Sequence, residues 1–529
     1  MKKAVQTTVI DLTQYTRAEL EEQYVKLSTE MQNLSSKLAW YQEQYELSRK
    51  QRFGASSEKT HPDQISLFNE AEAETVPIHT EPKIDDVIRN GKKQKGHKER
   101  ITKKLPTEVV EYRLSPEEQV CPECSESLHE MSKEIHIEIT IIPAQVIKTE
   151  RVRYVYSCRN CEKNNTTTPV ITAPMPNPVL KNSLASPSLV AHIMTRKYME
   201  AIPLYRQEQQ FHHDGLEINR QTMANWMIRA ATDWLRPLYR RMHEHLLNKE
   251  VLHADETTLE VLCEPGRPAT TSSYMWMYRT SGDSVPIILY DYREGRSGDY
   301  PKEFLKGFRG FLHVDGYAGY HKVPDVTLVG CWAHARRKYD EALKALPNPQ
   351  GIMAVSSKEG LEYCNQLFEI ERQVKDLSFE ERHEQRLARS KPVLDAYFAW
   401  VDVQEGQALP QSYFGKAITY SKNQKSKLEN FLLDGRLELS NNRGERSIKP
   451  FIIGRKNWLF SNTPRGATAS AIIYSIIETS KENNLNPFNY LTYLFERLPN
   501  IDLSNHAELD RLLPYSGDLP DRCRSLKTS

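Results

Sequence analysis

A multidomain α+β protein is what this sequence predicts, and three patterns predict it. Near the N-terminus, apolar residues recur by fours and threes, as in a coiled coil. Two Cys-x-x-Cys pairs then bracket text of alternating β type. Farther on, the text Leu-His-x-Asp occurs twice at the ends of apolar runs, ahead of a late helix with a third acid. The 529 residues leave room for roughly three or four domains. Hydrophobic residues make up 39% and charged residues 27%, the balance of a soluble globular chain. The net charge of +1 singles out no partner.

In residues 1–50, Leu20, Tyr24, Leu27, Met31, Leu34, Leu38, Tyr41 and Tyr45 form a heptad seam with no Pro or Gly inside it. A single amphipathic helix packed on its own domain would show the same spacing. The lack of apolar text nearby to cover the seam favours a self-associating coiled coil, and so a homo-oligomer. Residues 51–104 read as a charged linker. Its acidic stretch holds Glu70, Glu72, Glu74, Glu81, Asp85 and Asp86 against Lys83. Its basic stretch holds Lys92, Lys93, Lys95, Lys98, Arg100, Lys103 and Lys104 against Glu99. Such a block is as much at home in solvent as on nucleic acid. No long apolar stretch follows the N-terminus, so neither a signal peptide nor a membrane contact is expected and the cytoplasm is the default.

Residues 105–175 read as a β domain, because Ile135, Ile137, Ile139 and Ile141 alternate, then Val152, Tyr154 and Tyr156. Cys121 and Cys124 precede this pattern; Cys158 and Cys161 close it. Four thiolates in two such pairs suit one tetrahedral Zn²⁺, and the long gap fits a zinc ribbon better than a compact finger. Four sulfur ligands leave no open position, so the ion would be structural. The other reading is two cysteine turns without metal.

Residues 180–245 read as helices. Leu189–Tyr198 is one; Pro203 opens a second, Asp214-Gly215 breaks it, and Asn219 caps a third. A short Gly-containing turn between helices is the mark of a helix-turn-helix domain. There Arg220, Gln221 and Asn225 would face the major groove while Met223, Trp226 and Met227 hold the helix in place. An ordinary helical bundle gives the same text.

From residue 250 the text turns to strands. Apolar runs occur at Val251–Ala254, Leu259–Leu262, Tyr274–Tyr278 and Pro286–Tyr290. A helix near Tyr300–Phe308 follows, then strands at Phe311–Val314 and Val326–Cys331 and a helix at Ala333–Leu346. Three early strands, a helix, a fourth strand, a turn or helix and a fifth strand describe a ribonuclease-H-like α/β catalytic core, with the first and fourth strands adjacent. Asp255 and Asp315 then stand at matching strand ends and in the same phase. The core spans 250–346 and 431–482. Residues 347–430, rich in charge, read as an α-helical insertion, and 483–529 as a C-terminal tail. Ser440 caps the next helix, which puts Glu445 just over one turn in and on one face with Asn441. Glu256, beside Asp255, points to the opposite face and reads as a bystander.

Asp255, Asp315 and Glu445 together suit two Mg²⁺ (or Mn²⁺) ions, which serve phosphodiester chemistry. Cations crowd the third acid: Arg443, Arg446, Lys449, Arg455 and Lys456. That suits a polyanionic substrate, though charge balance on a solvated helix would look alike. In Cys331–Lys338, Arg336 and Arg337 have the types to clamp phosphate. Trp332 has the type to stack on an unpaired base, or to fill a core. His334 reads as a structural histidine before a proton shuttle.

These residues resemble a known family, the DDE transposases of the insertion-sequence-66 group. The likeness covers nearly the whole chain. It is strongest in His253-Ala254-Asp255-Glu256-Thr257-Thr258, Val314-Asp315-Gly316-Tyr317 and the block from Asn441 through Ile448-Lys449-Pro450 to Gly454-Arg455-Lys456-Asn457-Trp458-Leu459-Phe460. The resemblance implies that Asp255, Asp315 and Glu445 are the metal-binding acids, that the cysteine region is the family's zinc-binding domain, and that the middle helices bind element ends. It also implies small accessory proteins from the same element. Two residues depart from the family pattern: Gly444 replaces the usual Ala, and Asn484 the usual Gly. The expected activity is metal-dependent DNA strand cleavage and strand transfer, acting on the terminal repeats of a mobile element and on a target duplex. A domesticated DNA-binding regulator without catalysis and a structure-selective nuclease are its rivals.

Overall fold

The computed structural model describes residues 16–28, 30, 31, 34, 38, 41, 145–157, 170–345 and 352–525. Cys121, Cys124, Cys158 and Cys161 lie outside the described residues, as do residues 51–104 and the strand text at 135–141. Of the N-terminal seam, residues 17–28 are helical, and Tyr24, Leu27, Met31, Leu34, Leu38 and Tyr41 are all exposed. Two short strands, β1 (Val155–Ser157) and β2 (Val170–Thr172), pair antiparallel with Val155, Tyr156 and Val170 exposed.

Helices then follow in the expected order: α1 (Pro187–Tyr198), α2 (Leu204–His213) and α3 (Arg220–Ala230). Local chemistry sets their limits. Ser186 and Asn219 accept N–H bonds as caps, and Gly215 takes the left-handed turn at φ +81°. A π turn, Ala231–Leu235, joins α3 to α4 (Arg236–Leu247).

A six-stranded mixed sheet follows, with β3 (Val251–Val261) at its centre. β4 (Ser272–Thr280) and β5 (Ile288–Arg293) extend it antiparallel on one side; β6 (Gly310–His313) and β7 (Val326–Val329) extend it parallel on the other. The first and fourth strands are therefore neighbours, as expected. Between β5 and β6 stands α5 (Asp299–Phe304), and α6 (Trp332–Ala345) follows β7. The apolar runs 251–254 and 259–262 are one strand, not two. Pairing to β4 runs unbroken from Leu252 to Glu260, so the polar residues between them do not interrupt it.

Helices α7 (Ile352–Val374), α8 (Phe379–Gln385), α9 (Lys391–Glu405) and α10 (Tyr413–Glu429) are the expected insertion. They build a second hydrophobic cluster with α6, centred on Tyr339, Tyr397, Trp400 and Phe414. The chain then returns to the sheet through α11 (Asn442–Trp458), β8 (Phe460–Ser461) and α12 (Pro464–Glu482). β8 adds to the far end of β3. Ser475 and Thr479 of α12 accept N–H bonds from Tyr290 and Ile288 of β5 at 2.8 and 2.9 Å, which locks helix to sheet. Asn484 ends that helix at φ +58°, the left-handed cap that Asn tolerates.

Two boundaries differ from the sequence reading. Residues 483–525, within the expected C-terminal tail, are folded against the main core. They form α13 (Pro487–Arg497) and α14 (His506–Asp510), whose Tyr490, Leu491, Leu494, Phe495 and Leu509 are buried. These side chains share one hydrophobic cluster with Met223, Leu238 and Trp276, so the helices of 187–247 are continuous with the sheet rather than a separate domain.

Candidate catalytic cleft and DNA-facing surfaces

The cleft forms where β3 outruns β6. The parallel register pairs His253 with His313, and β6 stops there. Asp255 is consequently mid-strand rather than at a strand end, and Asp315 lies two residues beyond its own strand. Extending the register places the two acids side by side. Glu445 enters from the first turn of α11. Asp255, Asp315 and Glu445 line one cleft of about 170 Å³ with Glu256, Thr257, His334, Arg337, Asn441, Ile448 and Ile452.

Four contacts aim Glu445 there. Asn441, at the start of α11, does not cap the helix with its side chain. Its Nδ2 donates to the Ala254 carbonyl at 2.9 Å, and its Oδ1 accepts from His253 Nδ1 at 2.8 Å. With the amide so oriented, the His253 proton sits on Nδ1. Arg279, buried under the sheet, donates to Ser447 at 2.5 Å and to both carboxylate oxygens of Glu482 at 2.8 and 2.7 Å. The Tyr290 hydroxyl donates to the Ser447 carbonyl. Expected as the cap, Ser440 lies one residue too early. Gly444 also has a packing role: a Cβ there would lie 2.8 Å from Asn441 Oδ1.

Charge is held in the cleft against its own repulsion. Burial, then Glu256, Asp315 and Glu445, push the Asp255 carboxyl well above the usual carboxylate range. One oxygen of Asp255 accepts the Glu256 N–H at 2.8 Å, and one of Asp315 accepts the Tyr317 N–H at 2.8 Å. His334 Nδ1 and Arg337 Nη2 stand 3.7 and 3.8 Å from Glu445. Burial, then Arg337, lowers the His334 pKa to about 4, so this imidazole is neutral at pH 7. Burial lowers His253 to about 3, and its ring stacks on that of His313 at 4.4 Å. Glu256 does line the cleft, but its carboxylate accepts from Arg296 at 2.5 Å and Tyr320 at 2.5 Å. Three carboxylates crowding one cleft are a donor set suited to hard divalent cations.

The expected DNA contacts divide. Arg220, Gln221 and Asn225 lie on the exposed face of α3, with Met223, Trp226 and Met227 buried behind them. Arg446 and Lys456 are exposed; Lys449 is half-buried. Arg455 reaches back to the Thr257 and Thr258 hydroxyls at 3.2 and 3.1 Å. Arg337 is at the cleft. Trp332 and Arg336 correct the sequence reading. The Trp332 ring is fully buried, donates to the Leu428 carbonyl at 2.9 Å, and meets Tyr397 edge-on at 5.2 Å. Arg336 is 2% exposed and donates to Asn365 at 2.8 Å. The helical insertion covers both, so neither faces a DNA strand. Asn441 and His253, absent from the expected site, are tied to it by hydrogen bonds. The four-residue step from Asn441 to Glu445 was the signal available for the first.

Fold and site together are a mixed sheet with an acidic cleft at its centre, beside helices that present a polar face. Comparison with known proteins is more specific. The profile described as "Transposase IS66 family" matches residues 182–469, more than half of the chain. Its "IS66 C-terminal element" matches 475–515, and the "zinc-finger binding domain of transposase IS66" matches 118–162, which contains all four paired cysteines. A further profile, "Transposase C of IS166 homeodomain", matches 40–110, across the stretch read as linker. The chain belongs to the IS66 transposase family. It is similar to three uncharacterized proteins of Sinorhizobium fredii (strain NBRC 101917 / NGR234). One, y4jD, is 30% identical over 471 residues, 86% of this chain and 89% of that one. A second, y4qI, is 30% identical over 72% of this chain and 70% of its own. The third, y4hP, is 28% identical over 77% and 76%. Family membership supports DNA as the partner, and the matched zinc-finger region suggests Zn²⁺. Among the described residues no helix is long and apolar enough to cross a membrane.

Proposed function

We propose that the protein binds the ends of an insertion sequence and catalyses metal-dependent strand cleavage and strand transfer through a DDE cleft. One observation carries this reading: β3, the segment after β6 and the first turn of α11 bring Asp255, Asp315 and Glu445 into a single cleft. The strand order β5-β4-β3-β6-β7, with β3 and β6 parallel at the centre, matches the order expected of a ribonuclease-H-like core and supports the reading. Asp255, Asp315 and Glu445 would hold two Mg²⁺ or Mn²⁺ ions, which supply activation of water or a 3′ hydroxyl and stabilisation of the leaving oxygen. Asn441 keeps Glu445 in register with β3. Arg337, beside Glu445, is placed to meet a phosphate oxygen. Arg220, Gln221 and Asn225 read the terminal repeats, while Arg446, Lys449, Arg455 and Lys456 take backbone phosphates. Cys121, Cys124, Cys158 and Cys161 hold one structural Zn²⁺. The seam from Leu20 to Tyr45 pairs protomers so that two ends are cut together, with small accessory proteins of the element as further partners.

The test is a strand-transfer assay on DNA from the flanks of the coding region, with wild type beside Asp315→Asn. The reading expects wild type to nick and join, and the variant to bind without doing either. Wild type that nicks but never joins would be a nuclease. Wild type that only binds would be a regulator.

A further inference from the structure

The loop from α11 to β8 is built against two ordinary rules. Leu459, a bulky residue, holds φ +65° and ψ −55°, a strained backbone region that L side chains rarely adopt. Its side chain is also 62% exposed, and Phe460 beside it is 43% exposed. Neither feature is a fraying end. The Leu459 N–H donates to the Arg455 carbonyl at 2.7 Å, and Phe460 and Ser461 pair with Glu260 and Val261 of β3. The backbone is thus pinned on both sides while two apolar side chains are held out to solvent. Upstream, Ile453 is 49% exposed. Arg446, Lys449, Ile453 and Lys456 follow one another by threes and fours, so they share one stripe of α11. That stripe starts beside Glu445 and ends at Leu459.

We propose that Leu459 and Phe460 form a wedge on which the separated strands of a DNA end stack. The proposal rests on the functional reading above and names a further contact for the same substrate. Charge argues for DNA over a protein surface: Arg455 and the exposed Lys456 lie within about a turn of the apolar tip, and Arg446 and Lys449 lie farther up the same helix. Glu260, opposite Phe460, is exposed and acts on the Arg455 charge, while Lys456 is a second cation on the same turn. Glu260 lies five residues past Asp255 on β3, about 17 Å at the rise of a strand, so cleft and tip are within reach of one DNA end. Apolar side chains wedged between bases and aromatic rings stacked on them are established means of holding unpaired strands.

The experiment compares binding of the full chain to a fully paired DNA duplex and to the same duplex with one end splayed into unpaired arms. Wild type should prefer the splayed DNA roughly tenfold, the worth of about one stacked base. Leu459→Gly and Phe460→Ala should each remove most of that preference and leave affinity for the paired duplex unchanged. Leu459→Gly also relieves the positive φ, so it should melt no lower than wild type, which separates the wedge from a folding defect. Equal preference in wild type and both variants, with DNA bound and cut, would overturn the wedge and leave the catalytic reading intact. Variants that alter the oligomeric state and not the preference would make the patch a contact between copies and likewise overturn it. A wild-type chain that binds neither DNA would sink both ideas.

Discussion

The acidic cleft and the N-terminal seam break the rules of burial in opposite directions. In the cleft, Glu445 is 6% exposed, and Asp255 and Asp315 stand beside it with their charges acting on one another. In the seam, Tyr24, Leu27 and Met31 are 76%, 66% and 69% exposed, with no described surface against them. Crowded carboxylates cost stability unless a cation answers them. Exposed apolar stripes cost stability unless another surface covers them. Each region thus carries a cost that one isolated chain leaves unanswered. On the proposed function, a cation and DNA would answer it in the cleft and a second copy in the seam.

Four experiments would break or sharpen that contrast. The largest effect is expected from Asp255→Asn. Strand cleavage should fall by about a thousandfold or more, since ion-based stabilisation is worth several kcal/mol. The same change removes a repelled carboxylate, so thermal melting should rise by an amount equal to about 1 kcal/mol. A variant that melts lower would show that the acids are not in mutual repulsion. Next is Asn441→Leu, which strands the His253 N–H and the Ala254 carbonyl; chemical denaturation should show a loss of about 2–4 kcal/mol. Third, Mg²⁺ at a hundred times its dissociation constant should stabilise wild type by about 2.7 kcal/mol in a melting experiment, with little effect on Glu445→Gln. Least disturbing to the folded body is the double change Leu27→Asp with Leu34→Asp. Sedimentation should report a smaller assembly, while melting of the remaining protein shifts by less than about 0.5 kcal/mol. An unchanged assembly would mean that the seam covers something other than a second copy.

The acids of the candidate cleft were legible because their signals are short. The period of two carries His253 and Asp255, and again His313 and Asp315, along adjacent strands, and the parallel register keeps them level. Glu445 was legible from its setting after Asn441. Trp332 and Arg336 misled because an aromatic beside basic residues reads alike on a DNA surface and in a core. What decides between them is Tyr397 and Asn365, which arrive from the insertion. The His253–Asn441 bond spans 188 positions, and no local pattern announces a partner that far away.

Taken alone, the sequence determined the local elements. Asn219 as a cap, Gly215 in its left-handed turn and Asn484 closing α12 are decided within a few residues, where backbone preference and side-chain-to-backbone bonds act. Only the tertiary structure decided that Asp255 sits mid-strand, that the last helices join the main core, and that the insertion buries Trp332. Burial and cleft geometry depend on which distant surfaces meet. That outcome is set by the packing of whole elements, and no short stretch of chain contains it.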